Sequence, residues 1–284
     1  MSDRPSDQSS YRNLRDQHVI VTGGSSGIGK AIAMRAAAAS ARVSLIARDP
    51  ARLAAAQAEI SAAAPGAPPV FAVAADVAEK TAVQAALAAA EKTHGPADVL
   101  VTSAGVARPG YFEELPLEVF ERAMAVNYFG TLFPIKALVP GMRARGRGAI
   151  VIISSGAGLH GFFGYTAYAP SKFAVRGLAE SLRAELKPAG VRVVIVYPPD
   201  TDTPQLAEEN RTKPAETRAI TAHGGLWTAD AVARVTLDGL ARNKFAITPG
   251  GPVTALAWLH SLLAPFLRWR FDRAAARARK RAGR

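Results

Sequence analysis

Seven short runs rich in valine and isoleucine recur between residue 18 and about residue 250, each followed by a longer, helix-like segment. The runs are His18–Thr22, Arg42–Ala47, Val70–Ala75, Val99–Thr102, Ala149–Ser154, Val191–Tyr197 and Phe245–Thr248. They are apolar on both faces, the pattern of strands buried between two layers. The segments Gly27–Ser40, Ala51–Ala63, Lys80–His94, Leu117–Arg145, Ala167–Lys187 and Ala229–Arg242 suit helices. Such alternation predicts an α/β fold, a doubly wound parallel sheet with helices on both faces. No internal repeat or linker divides it, so residues 16–250 are read as one domain after a disordered, polar lead-in at 1–15. Two segments break the rhythm. Residues 198–227 form a long, polar, proline-containing insertion where a lid would sit. Residues 251–284 turn apolar and then strongly basic.

Composition narrows the chemistry. The chain has no cysteine, which excludes thiolate catalysis and cysteine-based metal sites, and its five histidines show no ligand spacing, so no metal is expected. Of the formal net charge of +12, the stretch from Arg268 onward holds +7: Arg268, Arg270, Arg273, Arg277, Arg279, Lys280, Arg281 and Arg284 against Asp272 alone. The body is only mildly basic and carries no nucleic-acid motif, so the charge points to an anionic membrane surface and not to nucleic acid. The apolar run Val253–Leu267 is interrupted by His260, Ser261 and Pro265 and is too short to span a bilayer. It suits the membrane interface, with Trp258, Phe266, Trp269 and Phe271 at headgroup depth, or else packing on the sheet or on a second subunit. In the interface reading, deletion from Gly251 onward spares activity. With no signal-peptide core at the N-terminus, the expected location is cytoplasmic, peripheral on the cytoplasmic face of a membrane where the tail engages lipid.

The first strand runs into Thr22-Gly23-Gly24-Ser25-Ser26-Gly27-Ile28-Gly29 and then a helix. Glycines let the backbone approach a pyrophosphate, and a helix N-terminus supplies free amides and a favourable dipole. Strand, turn and helix in that order make this a Rossmann-like dinucleotide site with Gly23, Ser25, Ser26, Gly27, Ile28 and Gly29 as contacts. The second strand ends in Ala47 and Arg48, with Arg52 one turn on, where an NAD-selective enzyme usually places a carboxylate. A guanidinium there suits a 2′-phosphate, so NADPH is the expected cofactor. Asp49 should point away if Arg48 points in, and Asp76 is placed to meet the adenine ring. Tyr168 and Lys172, four apart at the start of a helix, share a face, and the cation is expected to draw the phenol's pKa down toward a working range.

Together these features resemble the short-chain dehydrogenase/reductase family over about residues 18 to 250. Asn127 and Ser155, the latter thirteen residues before Tyr168, match the family's asparagine and serine and complete an Asn127–Ser155–Tyr168–Lys172 tetrad. Ser154 competes with Ser155, but the spacing favours Ser155. The resemblance implies ketone reduction by hydride transfer, with Tyr168 donating the proton and Ser155 holding the carbonyl oxygen. It also implies that Lys172 holds the nicotinamide ribose and that Asn127 holds a water. Further cofactor contacts implied are Val77, Ala104, Gly105, Pro198, Thr201 and Thr203. Two departures stand out: Thr102-Ser103-Ala104-Gly105 in place of Asn-Asn-Ala-Gly, which puts local stability in doubt, and Pro198-Pro199 in place of Pro-Gly.

The stretches Gly161 to Tyr168 and Tyr197 to Arg218 are similar to those of the family's 3-ketodihydrosphingosine-reducing branch. That similarity implies a long-chain 3-keto lipid substrate, with Phe162, Phe163, Tyr165 and Leu206 as its contacts beside Ser155 and Tyr168, and Trp227 as a further aromatic near the channel. Asp200, Asp202, Glu208 and Glu209 lie near enough in sequence to meet a substrate amine. A homodimer or homotetramer through the long helices is the family default.

Overall fold

The computed structural model describes residues 14–221 and 225–281, with backbone alone at 260–264 and 281. The expected lead-in at 1–15 lies almost wholly outside the described residues, as does Arg284. The strands are β1 (His18–Thr22), β2 (Arg42–Ala47), β3 (Phe71–Ala74), β4 (Val99–Thr102), β5 (Gly148–Ile153), β6 (Val191–Val196), β7 (Thr201–Asp202), β8 (Trp227–Thr228) and β9 (Ala246–Ile247). Seven of them form one sheet in the order β3-β2-β1-β4-β5-β6-β9. All its pairings are parallel. The order reverses between β1 and β4, where Thr22 is in register with Thr102. Ligands of doubly wound sheets bind at such a switch point.

The helices are α1 (Gly27–Ala38), α2 (Pro50–Ala63), α3 (Lys80–His94), α4 (Leu117–Ala123), α5 (Gly130–Ala144), α6 (Tyr168–Leu186), α7 (Pro204–Thr212), α8 (Ala215–Thr221), α9 (Ala229–Ala241) and α10 (Gly251–Arg281). Alternate strand residues face opposite layers, as the pleat dictates. Val19, Val21, Val43 and Leu45 pack with Ile32 of α1, Ile60 of α2 and Leu237 of α9. Ile20, Ile46, Leu100 and Ile150 pack with Leu87 of α3, Ile135 of α5 and Val175 of α6. Full burial of each such side chain contributes about 1.5–3 kcal/mol.

One buried polar group makes the fold sensitive to acid. His18, at the start of β1, is fully buried, with Nδ1 2.7 Å from the Gly95 carbonyl and Nε2 2.8 Å from the Ser44 hydroxyl. Because a carbonyl only accepts, Nδ1 carries the proton and the Ser44 hydroxyl donates to Nε2. Burial pushes the imidazole pKa down to about 4, with the bond to Gly95 opposing. An unfolded histidine titrates near 6.5, so between about pH 6.5 and 4 the unfolded chain binds a proton that the folded chain does not. Stability therefore falls with pH across that window, by about 3 kcal/mol at its lower end. Urea midpoints measured from pH 7 to 4 should show this slope, flatter in His18→Asn. Equal slopes in the two proteins would refute it.

The structure corrects or sharpens the sequence reading in three places. The helix expected over Leu117–Arg145 is interrupted by a π-helical turn at Met124–Phe129, in which the Gly130 amide reaches back to the Ala125 carbonyl. The insertion at 198–227 carries α7 and α8, and its ends meet where β7 pairs with β8. The tail is one helix whose inner side packs on the domain. Val253 is buried, Phe271 lies 5.5 Å from Phe162, and Arg279 pairs with the buried Glu216 at 3.1 Å. Its other side leaves Trp258 81%, Leu259 44%, Phe266 54% and Trp269 52% exposed. No helix among the described residues is long and apolar enough to cross a membrane.

Candidate active site

The turn after β1 is built for close approach. Gly23 adopts φ +71°, and a Cβ there would sit 2.6 Å from the Ala104 nitrogen, so the turn leans on the segment that follows β4. A Cβ on Gly29 would drive into the Gly23 carbonyl, which lets the first turn of α1 close onto the same loop. Ser26 caps α1 in an extended conformation with no side-chain bond to the helix, and no acid stands in the first turn. The first-turn amides, which have no intrahelical partners, thus form a cradle that fits a pyrophosphate. Ser25 and Ile28 lie half-buried in this turn. Thr203, the N-cap of α7, brings its methyl within 3.0 Å of where a Gly27 Cβ would be, so the insertion begins directly over the cradle. Pro198 lies beside the turn after β5, its carbonyl accepting from the Gly156 amide at 3.1 Å, while the Thr201 hydroxyl donates to the Pro199 carbonyl at 2.9 Å.

At the end of β2, Arg48 and Arg52 are exposed. The Asp49 carboxylate accepts from the Ala51 and Arg52 amides at 3.0 and 3.1 Å, which turns it onto the N-terminus of α2 and away from an incoming ribose. Asp76 forms a 2.8 Å ion pair with Arg122 and accepts from the Ala78 amide. Burial works against its ionisation, but the Ala78 amide and Arg122 outweigh burial and hold its pKa below the usual carboxylate range. The ion pair to Arg122 was not foreseen. The neighbouring Val77 is buried where a Cβ on Gly130 would strike it, which draws the start of α5 close to the end of β3.

Tyr168 opens α6 with Pro170 in its first turn, where a missing amide costs no helix bond. Tyr168 and Lys172 are both buried; the ammonium lies 5.6 Å from the phenol ring centroid and donates to the Ile153 carbonyl at 3.1 Å. Ser155 follows β5, accepts from the Ala157 amide and hydrogen-bonds the Tyr168 phenol. Ser154 points elsewhere, toward the Lys172 carbonyl. Asn127, in the π turn, accepts from the Val106 amide at 2.9 Å and donates to the Val106 carbonyl at 3.0 Å and to Ser171 Oγ at 2.8 Å. Its side chain thus ties the loop after β4 to α6. A Cβ on Gly105 would stand 3.4 Å from Asn127 Oδ1 and 3.8 Å from Lys172 Nζ, so two members of the tetrad flank this loop. The Thr102 hydroxyl, at the departure from the family pattern, is buried without a partner among the described residues, as is that of Thr22 beside it.

The electrostatics depart from expectation. Burial, and then the Glu209 carboxylate, push the Tyr168 pKa up, with Ser155 and Gln205 pulling the other way. Lys172 does not draw it down. Burial lowers the ammonium's own pKa to about 8, partly offset by Glu209. The phenol is therefore held protonated.

Gln205 was not foreseen as part of the site, and Glu209 only as one of four acids near enough in sequence to meet a substrate amine. They stand four apart on α7, with Gln205 Nε2 donating to Glu209 Oε1 at 2.9 Å while Gln205 also bonds the Tyr168 phenol. The i, i+4 spacing was visible in the sequence, but nothing there fixed which face of α7 turns inward. Among the residues expected to meet substrate, Phe162 packs against the small cluster of Ala157, Tyr165, Tyr168 and Ala169. Phe163 faces α8 and α10 instead, edge-on to Tyr111 and under Arg279, and its carbonyl accepts from Thr217. Tyr165 is no apolar wall: its ring lies 5.6 Å from that of Tyr168 and its hydroxyl donates to Glu209. Leu206 is half-buried on α7. Trp227 packs on Gly250.

Residues 17–214 match the family model described as short chain dehydrogenase. The chain is 43% identical over 239 residues to a 3-dehydrosphinganine reductase of Danio rerio, covering 84% of this chain and 72% of that one. It is 42% identical over 254 residues to a 3-ketodihydrosphingosine reductase of Mus musculus, covering 89% and 76%. Among solved structures, a short chain dehydrogenase/reductase from Burkholderia phymatum in complex with NAD superposes with a TM-score of 0.79 at 26% identity, covering 89% of this chain and 95% of that one. With its glycine cradle at the switch point and its tyrosine and lysine gathered beside it, this chain belongs to the short-chain dehydrogenase family of oxidoreductases.

Proposed function

We propose that the protein reduces the keto group of a long-chain 3-keto sphingoid base, 3-ketosphinganine, to the alcohol, with NADPH as reductant. Identity above 40% to relatives named for this reaction, across more than four-fifths of the chain, carries the reading. The bound nicotinamide would supply the hydride. Gly23, Ser26, Gly27 and Gly29 would seat its pyrophosphate and Lys172 its ribose. Ser155 holds the carbonyl oxygen where charge develops, the contribution that usually lowers such a barrier most. Tyr168 delivers the proton; alkoxides are stronger bases than phenolates, so a phenol with a raised pKa still gives its proton up. Asn127 positions the loop after β4 against α6. The exposed aromatic side of α10, continuous with its basic end, is read as resting on an anionic membrane, the phase in which such a substrate dissolves.

Cofactor oxidation measured in parallel on 3-ketosphinganine and a short ketone tests the substrate. Preference for the short ketone would replace the sphingoid reading by that of a general carbonyl reductase. Preference for NADPH is ascribed to Arg48, since Ala47 precedes it where a carboxylate would select NAD and Asp49 is spent on α2. Arg48→Ala should weaken NADPH about ten- to a hundredfold, the loss of one charge-assisted contact, and leave NADH little changed. Equal losses for both cofactors would sink that assignment.

A further inference from the structure

Four acids lie near the site in sequence, and the fold sorts them. Asp202 is exposed, Glu208 pairs with Arg211 at the surface at 3.1 Å, and Asp200 faces the buried ammonium of Lys213 at 3.4 Å. Glu209 differs from all three. It is buried, and among the described residues no cation stands within ion-pairing distance of it. Its oxygens take only neutral donors, Gln205 Nε2 and the Tyr165 hydroxyl, each at 2.9 Å. A carboxylate has about four acceptor positions, so about half its capacity remains. A buried carboxylate without a cation is unfavourable. Here burial pushes its pKa up against Gln205, Tyr165 and the more distant Lys213. Such a group makes physical sense where a cation arrives with the ligand.

Its position says which cation. Gln205 bridges Glu209 to the Tyr168 phenol, and the carboxylate's charge is felt at both Tyr168 and Lys172. Glu209 therefore lies one hydrogen-bonded residue from the atom that protonates the substrate oxygen. An ammonium on the carbon next to the ketone is two bonds from the carbonyl carbon, so it enters the site on the same small part of the substrate as the oxygen that Tyr168 protonates.

We propose that Glu209 receives the ammonium group of an α-amino ketone substrate, oriented by Gln205 and Tyr165, and so selects amino ketones over plain ketones. The proposal rests on the sphingoid reading and adds the residue that recognises the amine. An amine-free ketone of equal length would leave the carboxylate unpaired, the kind of mismatch that discriminates strongly.

Glu209→Gln keeps the shape and removes the charge; its amide oxygen can still accept from Gln205, while its NH2 donates to the Tyr165 hydroxyl where the carboxylate accepted. The test compares kcat/KM on 3-ketosphinganine with that on octadecan-3-one in the same detergent, for the wild type, Glu209→Gln and Glu209→Asp, with NADPH affinity as the check on folding. The ratio favouring the amino ketone should fall about ten- to a hundredfold in Glu209→Gln, the loss of one charge-assisted contact, mainly through KM. Glu209→Asp, which keeps the charge, should recover part of it. An unchanged ratio in Glu209→Gln, with both substrates losing equally, would overturn the amine role while leaving the sphingoid reading intact. A wild-type enzyme that reduces octadecan-3-one but not 3-ketosphinganine would overturn both.

Discussion

Tyr168→Phe is expected to lower the rate of ketone reduction by about a hundred- to ten-thousandfold, the usual contribution of a positioned general acid, while NADPH binding changes only a few-fold. The ring stays, and with it the packing on Tyr165 and the contact to the Lys172 ammonium. What goes is the one proton held beside Ser155 and Gln205. Those two groups lose a buried partner, so a stability loss of about 1–3 kcal/mol should accompany the change. Single-turnover NADPH oxidation, with cofactor affinity read from fluorescence, separates the chemical loss from the structural one. Activity within about tenfold of wild type, about 1.4 kcal/mol of barrier, would remove Tyr168 from the role of proton donor.

Replacing Trp258, Phe266 and Trp269 together by serine should abolish sedimentation with anionic vesicles at low salt. Each aromatic contributes up to about 1.5–3 kcal/mol when taken out of water, so partial burial of three corresponds to a loss of partitioning of at least about a hundredfold. Activity on a detergent-dispersed substrate should persist, because these side chains stand on the exposed side of α10. Truncation from Gly251 is a different experiment. It removes Val253 from the core, Phe271 from Phe162 and Arg279 from Glu216, leaving that carboxylate buried with the Tyr111 hydroxyl. Truncation is therefore expected to cost activity, contrary to the interface reading of the sequence, in which deletion from Gly251 spares it. If the full-length protein stays in the supernatant, or the triple variant sediments as well as wild type, α10 has no membrane role.

The sheet was legible because buried parallel strands need apolar residues at most positions, and runs such as Val99–Thr102 keep that pattern on both faces. The glycine turn was legible because steric need leaves a mark: no other residue fits at Gly23 or Gly29. The interior of the site was less so. Whether Glu209 faces solvent or Tyr168 depends on the rotation of α7, which is set by Thr203 seating over Gly27 and by β7 meeting β8, contacts far apart in sequence. Phe162 and Phe163 looked alike as candidates, yet adjacent side chains diverge and only Phe162 joins the tyrosine cluster. The direction of the Tyr168 pKa was misjudged because spacing brings Lys172 near but says nothing of how deeply both groups are buried.

The π turn at Met124–Phe129 bears on which sequence changes the site can absorb. A π turn is an α-helix holding one residue more than its ladder needs. Each residue of an α-helix advances the chain by about 100°. Removing any one residue other than Asn127 from this stretch would let the ordinary ladder close, with no loss of helix, yet rotate Asn127 relative to Val106 and Ser171. Here the length of a segment, and not only the identity of its residues, is under constraint: a single-residue deletion that looks harmless by helix propensity would uncouple the loop after β4 from α6.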